Sequence, residues 1–259
     1  MTLSFFAFPL NLILAFLWAG GILAAWRHCG KSSFVRFMLS RKATVSAIIL
    51  LLLFALSVGI TGHREWTRTW FFATILLYFQ TVLLFVILRG WKIRKSDGSR
   101  KGTVRWRFLM NHVGLLLAVA SAFWGAPDSS VCRVQAMVDT PVREAYRMDG
   151  TSEWLPYSIE LKDFKVETYE NGVPSMFEAC LLVDGESVIL KVNEPHSVRI
   201  GEDIYLSGYD SAAEDSGYCI VQIVREPWKY AALIGILLMM SGALLMFVCG
   251  PERRIVNVR

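Results

Sequence analysis

The segment Phe108–Ala126 reads FLMNHVGLLLAVASAFWGA and is predominantly apolar, with Asn111 and His112 near its start. A stretch of this length predicts a membrane-spanning helix, which needs roughly 20 apolar residues. An ionisable side chain is costly inside a bilayer, and such residues commonly mark functional sites. His112 is therefore the first candidate for a functional residue.

Four other stretches are long enough to cross a bilayer, and none contains Asp, Glu, Lys or Arg. They are Leu3–Trp26, Ala43–Gly62, Thr69–Leu88 and Tyr230–Gly250. The chain has 259 residues, 54% of them hydrophobic, which is too apolar for an ordinary soluble domain. We expect a membrane helical bundle of about five transmembrane helices, four of them in residues 1–126. The first stretch is not expected to be a cleaved signal peptide, because no Lys or Arg precedes it.

The basic residues predict the orientation of the five spans. Sixteen of them fall on one side if the spans alternate, and the side rich in Lys and Arg is normally cytoplasmic. They are Arg27, Lys31, Arg36, Arg41, Lys42, Arg89, Lys92, Arg94, Lys95, Arg100, Lys101, Arg105, Arg107, Arg253, Arg254 and Arg259. We therefore expect an outer N-terminus, an extracytoplasmic domain over 127–229, a final helix over 230–250 and a cytoplasmic tail over 251–259.

Residues 127–229 differ sharply in character from the spans. They hold 19 acidic and 9 basic residues, a net charge of about −10, so the overall charge of +5 does not indicate a nucleic-acid partner. The basic loops of the other side are expected to contact membrane lipids. Short stretches that alternate between apolar and polar residues are separated by turn signals such as Asn171-Gly172 and Asp184-Gly185. The pattern predicts an antiparallel β-sheet or sandwich, with a bulge or bend near Asp163.

The predicted strands are five stretches, which read YSIELKDFKVETY (157–169), SMFEACLLVDG (175–185), ESVILKVN (186–193), DIYLSGYD (203–210) and YCIVQIVRE (218–226). Small residues in two spans, Ala19-Gly20-Gly21 and Ser241-Gly242-Ala243, are typical of close helix packing.

Cysteine spacing leaves the redox chemistry open. Cys132, Cys180 and Cys219 lie in the predicted external domain, and Cys29 and Cys249 lie at membrane edges. Three external cysteines allow one disulfide and one free thiol, and the pairing is not determined by the sequence. The chain has no CxxC motif, so thiol–disulfide exchange is not expected, and no CxxCH motif, so it does not itself carry covalent c-type haem.

Several motifs follow one another in the order of a known family. Leu155–Glu167 reads LPYSIELKDFKVE, Val192–Pro195 reads VNEP, and Ile204–Asp210 reads IYLSGYD. Asn111–Gly114 reads NHVG at the start of the span that precedes the external domain. Over roughly residues 105–250 the chain resembles the ResB family, also called CcsB, of the System II cytochrome c biogenesis machinery. Five spans and a short external domain differ from the usual layout, so the resemblance is to a compact form.

The resemblance implies a role in haem handling. Proteins of this family act with a CcsA-type membrane protein, which carries a tryptophan-rich haem-binding motif, and attach haem to the CxxCH motifs of apocytochrome c. This chain has no such tryptophan-rich segment. It would then be one half of a cytochrome c haem lyase, a subunit that is non-catalytic or contributes half of a site, and would hold haem b transiently.

His112 is the predicted axial ligand of the haem iron, since a neutral imidazole nitrogen is a common ligand there. Asn111 is a candidate for orienting the ring or capping the helix, Gly114 for letting a porphyrin or partner approach, and Trp124 for stacking on haem. The sequence supplies no second histidine within a span, so the other ligand is expected from another polypeptide.

The alternatives stay open at this level. His112 is also compatible with a helix-packing role, and the tryptophans near span ends with an interfacial aromatic belt. A second function is a membrane-anchored scaffold or sensor whose external β-domain binds a partner protein without a cofactor. A transporter is less favoured, because the spans show no charged relay and no broken inverted repeat.

Overall fold

The computed structural model describes residues 3–93, 103–168, 174–209 and 217–250. It divides into two compact units, Met1–Pro127 with Trp228–Arg259, and Asp128–Pro227. The first unit holds five helices that are long and apolar enough to cross a membrane. The second holds an eight-stranded antiparallel sheet. The predicted fold class, a helical membrane bundle with a β-domain, is confirmed. The predicted Asn171-Gly172 turn and the tail over 251–259 lie outside the described residues.

The helices begin close to where the sequence predicts, with one exception. Leu3–Trp26 was expected as a single span, but the helix begins only at Leu10, after a short 3₁₀ turn at Leu3–Phe6. Pro9 stands immediately before the helix as its N-cap, and the restricted proline backbone separates the two pieces. The helices are α1 (Leu10–His28), α2 (Ser33–Met38), α3 (Arg41–Thr61), α4 (Trp70–Gly90), α5 (Trp106–Gly125) and α6 (Lys229–Cys249).

Side-chain caps explain where the central helices start. The Ser40 hydroxyl accepts a hydrogen bond from the Ala43 N–H at the start of α3. The Thr69 hydroxyl does the same for Phe72 at the start of α4. Each cap satisfies one of the backbone donors that a helix leaves unpaired at its first turn. A left-handed Gly62, with φ of 72°, ends α3.

The strands of the second unit, called the β-unit below, are β3 (Ser130–Met137), β4 (Val142–Arg147), β5 (Ser152–Thr168), β6 (Pro174–Val183), β7 (Glu186–Lys191), β8 (His196–Arg199), β9 (Glu202–Tyr209) and β10 (Tyr218–Arg225), while β1 (Lys92–Ile93) and β2 (Thr103–Val104) pair with each other in the first unit. The sheet orders its strands β7-β6-β5-β4-β3-β10-β9-β8. The sequence pattern identified β5, β6, β7, β9 and β10 but not β3, β4 or the short β8. A register shift between Leu161 and Asp163 confirms the predicted irregularity in β5.

The core of the β-unit comes from alternate residues of its strands. Along β10, Cys219, Val221 and Ile223 are fully buried, while the residues between them are half-buried. The sheet curls, so that residues of its two edge strands, such as Val188 of β7 and Val198 of β8, line one polar cleft of about 270 Å³. This curling lets a single sheet of about 100 residues enclose its own apolar side.

Candidate functional site

His112 lies in the second turn of α5, and its backbone neighbour determines its tautomer. The ring Nδ1 lies 2.8 Å from the carbonyl oxygen of Phe108, one turn earlier. A carbonyl oxygen only accepts hydrogen bonds, so Nδ1 carries a proton, and in the neutral ring Nε2 then holds the lone pair. Within the part of the chain that the structure describes, nothing hydrogen-bonds to Nε2. In its neutral form, the half-buried imidazole therefore has one nitrogen available to a ligand.

The His112 ring is held in a stack with two neighbours on α5. The Phe108 ring lies against it with centroids 4.0 Å apart and planes 27° apart. The Arg105 guanidinium lies 4.5 Å from the Phe108 centroid and donates to the Gly90 carbonyl oxygen at the end of α4, 3.1 Å away. Gly90 leaves the space that the Phe108 ring occupies, because a Cβ there would clash with that ring. The stack orients His112 on the side of α5 that faces the end of α4.

Asn111 and Gly114 lie on a different side of α5, against α6. The Asn111 amide donates to the Arg107 carbonyl oxygen 2.9 Å away, and it fills the space beside Gly242. A Cβ on Gly114 would come within 2.6 Å of the Gly235 carbonyl oxygen. The partner that approaches Gly114 closely is therefore α6 of the same chain. Asn111 and Gly114 thus both contribute to the packing of α5 on α6.

Trp124 lies twelve residues beyond His112, which is about 18 Å along the helix. Its ring packs near Trp18, with centroids 6.0 Å apart, and its carbonyl oxygen accepts from the Asn11 amide at 2.8 Å. It lines an apolar cavity of about 280 Å³ between α1, α4 and α5. The structure therefore separates Trp124 from His112 and does not form a single site from the four residues predicted as cofactor-binding.

The β-unit contains a charged cluster that the sequence analysis missed. Arg225 donates to carboxylate oxygens of both Glu153 and Glu202, and Tyr157 donates to Glu202. Arg147 donates to Glu153 at 2.7 Å. The available signal is strand alternation, because Arg225 shares its face of β10 with the buried Ile223, and Glu153 its face of β5 with the buried Leu155. Charged residues at core positions predict such a paired cluster.

Charge pairing sets the ionisation of this cluster. Burial opposes ionisation of Glu153, but hydrogen bonds from Arg147 and Arg225 outweigh it and lower the pKa of Glu153. Burial also opposes the charge on Arg225, but the two carboxylates raise its pKa further above the ordinary value. Burial, and next the hydrogen bond to Glu202, raise the pKa of Tyr157, which keeps its hydroxyl protonated. The cluster is a structural ion-pair network and offers no vacant nucleophile or base.

The cysteines of the β-unit are all unpaired. Cys132 pairs in register with Ile223 and Cys219 with Ala136, so the two buried thiols are offset by four residues along neighbouring strands. That offset is about 13 Å, well beyond disulfide distance. Burial raises the pKa of Cys219 to about 12, so this thiol is unreactive at neutral pH. Among the described residues, no three His, Cys, Asp or Glu side chains form a metal-binding group.

Comparison with known proteins identifies the family. The model of the ResB-like family matches residues 86–221, from the last turn of α4 into β10, and this range includes His112. The chain belongs to the ResB-like family. A search of the curated proteins found no match. With its five apolar helices, this ResB-like chain is a membrane protein.

The chain is also similar to a solved structure described as "Cytochrome c Heme Lyase CcmF". The likeness has a TM-score of 0.39 at 15% sequence identity and covers 77% of this chain. The ResB-like chain spans about a third of that protein, 34% of its length. A TM-score this low does not establish a shared fold.

Proposed function

We propose that this ResB-like chain is a haem-handling subunit of a System II cytochrome c synthase. It would hold haem b transiently in the membrane with a CcsA-type partner and deliver it outward for attachment to the CxxCH motifs of apocytochrome c. Membership of the ResB-like family supports a role in cytochrome c biogenesis. The chain would act as one half of the haem lyase rather than as a complete enzyme.

The observation that carries the proposal is the orientation of His112. Histidines that bind metals usually donate their second ring N–H to a carbonyl or carboxylate, which fixes the tautomer and raises the basicity of the ligating nitrogen. His112 makes this bond from Nδ1 to the Phe108 carbonyl oxygen. The residues present therefore fit one axial position of a haem iron through Nε2. When bound, the haem supplies the iron and the vinyl groups that are joined to apocytochrome c.

The chain's own residues have separate tasks in this proposal. His112 would hold the haem iron through one ring nitrogen, and the Arg105–Phe108 stack holds its ring. The glycine contacts of Gly114 and Gly235 pack α5 tightly on α6, which restricts approach of a ligand to the other sides of α5. His28, at the cytoplasmic end of α1, and His63, in the loop after α3, both lie at span ends rather than inside a span. We therefore assign the second axial ligand to the CcsA-type partner.

The proposed orientation follows from the basic loops. The C-terminal ends of α1, α4 and α6 would be cytoplasmic, and the β-unit would be extracytoplasmic, in a bacterial inner membrane. His112 would then lie near the cytoplasmic end of α5, about 9 Å along the helix from Trp106. This is a suitable depth for taking up haem from the cytoplasmic half of the bilayer.

The test is maturation of a CxxCH-containing apocytochrome in cells that carry this chain and a CcsA-type partner. His112→Ala is expected to reduce covalent haem attachment by at least tenfold, with partial recovery when imidazole is supplied, because the free ligand enters the space left by the ring. His63→Ala removes an imidazole that pairs with Glu65 in an exposed loop, and it should mature cytochrome normally. Normal maturation by His112→Ala would refute the proposal.

A second function is favoured by the edges of the sheet. Among the described residues, no strand pairs with the outer edge of β7 or of β8, and Ile189 and Ile200 are well exposed there. Such edges accept an extended segment of another protein. A scaffold of this kind predicts capture of a partner by the chain whether or not haem is present, and no effect of His112→Ala on that capture.

A further inference from the structure

The apolar cavity beside Trp124 has the features of a binding site separate from His112. It lies at the end of the membrane unit where α4 begins and α5 ends. Aromatic rings form much of its wall, and its volume is about 280 Å³. The aromatic wall residues are Phe6, Trp70, Phe72, Phe123 and Trp124. Phe123 follows His112 by eleven residues, or about three helical turns, so the cavity is roughly 16 Å along α5 from the histidine.

Most polar groups of the cavity wall already have partners within the protein. The Asn11 amide donates to the Trp124 carbonyl oxygen, and its Oδ1 accepts from the Leu12 N–H. The Thr67 hydroxyl donates to the Arg64 carbonyl oxygen, and the Thr69 hydroxyl donates to Trp66 and accepts from Phe72. These groups stabilise the loop and the starts of α1 and α4. Few hydrogen-bond donors of the wall therefore remain for a ligand.

One charged donor of the wall has no partner among the described residues. The Arg68 guanidinium is exposed at the rim and makes no hydrogen bond or ion pair there. Most of the remaining wall is apolar and aromatic. A ligand that matches this wall has an apolar body and an anionic group at one end.

We propose that this cavity binds one anionic phospholipid. Its phosphate would accept from Arg68, and an acyl chain would lie among the aromatic rings. The membrane supplies such a molecule at high local concentration, at the level where Trp66, Trp70 and Trp124 place the interface. In the proposed orientation this is the outer leaflet. The site does not depend on haem binding at His112.

The experiment measures lipid retained by the full chain after purification in mild detergent. Native mass spectrometry would compare added phosphatidylglycerol, which is anionic, with phosphatidylcholine, which is zwitterionic. One bound phosphatidylglycerol per chain is expected. Arg68→Gln should reduce its retention about tenfold, since it removes a charge-assisted hydrogen bond. Arg64→Gln is the matched control, because it removes the same charge from the same short turn but Arg64 does not line the cavity.

A cavity-filling variant keeps the test independent of surface charge. Ala73→Phe places a ring in the cavity wall and should displace the lipid while Arg68 is intact. Equal retention of both lipids by wild type, or loss that is the same for Arg68→Gln and Arg64→Gln, would overturn the proposal. So would Arg68-dependent binding of haem, whose carboxylates share the chemistry, with no bound phospholipid. Because His112→Ala is expected to retain the lipid, failure of this proposal and failure of the haem proposal are distinguishable.

Discussion

At the scale of single residues, His112 combines two features that are rarely found together inside a span. It is ionisable, and its Nδ1 proton is already committed to the Phe108 carbonyl oxygen. The sequence predicted the histidine but not its orientation, because the bond to residue i−4 depends on the rotamer that the Phe108 stack selects. The sequence also could not predict that Gly114 packs against α6, because this contact depends on how the two helices are arranged in the bundle.

Arg225 provides a stability test at this scale. Arg225→Met would leave Glu153 and Glu202 without their shared cation, and removing one partner of a buried ion pair costs about 3 kcal/mol or more. Amide hydrogen exchange of β9 and β10 should accelerate strongly. Arg133→Met, at an exposed position on β3 whose side chain hydrogen-bonds to Gln222, should change exchange little. Equal protection in both variants would show that the cluster is not stabilising.

The pH dependence of the β-unit follows from Glu153. Its pKa lies below the ordinary value of 4.5 in the folded protein, because the arginine hydrogen bonds outweigh burial. The folded state then binds this proton less readily than the unfolded state. The stabilisation is fully present above pH 4.5 and is lost as the pH falls through the lower, folded pKa. Exchange protection should fall in acid, and Glu153→Gln should make that fall smaller. Constant exchange protection of the wild-type protein down to about pH 2, roughly two units below the ordinary carboxyl pKa, would contradict this prediction.

At the scale of elements, small residues decide which helices pack closely. Gly242 on α6 contacts α5, as the Ser241-Gly242-Ala243 stretch predicted, but Gly20 and Gly21 on α1 have no atom within 4 Å of an added Cβ. A glycine pair in a sequence shows that close approach is permitted, but whether another helix uses it depends on the arrangement of the bundle. The prediction of close helix packing at Gly20 and Gly21 is therefore wrong, because no described helix approaches either glycine closely.

This difference gives a matched pair of substitutions. Gly235→Ala puts a Cβ 2.6 Å from the Ala118 backbone nitrogen, so α5 and α6 must separate, at a cost of about 1–3 kcal/mol. Gly20→Ala meets open space and should be neutral or slightly stabilising. Thermal unfolding in detergent, followed by helical circular dichroism, would compare them. Indistinguishable unfolding temperatures would contradict the α5–α6 packing.

The strands show what alternation can and cannot predict. Five strands were predicted because their stretches alternate between apolar and polar residues. The Asp184-Gly185 turn was predicted because both residue types tolerate positive φ, which both adopt in the structure. β4 reads VREAYR and β8 reads HSVR, with too few apolar residues for a pattern. Their strand geometry comes from pairing with β5 and β9, which is a tertiary effect.

At the scale of the whole molecule, the topology can be tested with the chain's own cysteines. A single-cysteine variant that keeps the exposed Cys249, at the end of α6, should react with a membrane-impermeant maleimide only after permeabilisation. A variant carrying only Asp149→Cys, in the exposed turn after β4, should react in spheroplasts with intact inner membranes. The reverse pattern would contradict the proposed orientation, with the β-unit outside and the C-terminus inside.

The central claim is that His112 ligates haem iron, and an absorption spectrum tests it most directly. The chain would be purified with its CcsA-type partner, as wild type, as His112→Ala and as His112→Cys. The account predicts a Soret band in wild type, a strongly reduced band in His112→Ala, and a shifted, thiolate-type band in any haem kept by His112→Cys. Soret bands of equal height and position in all three proteins would contradict the account.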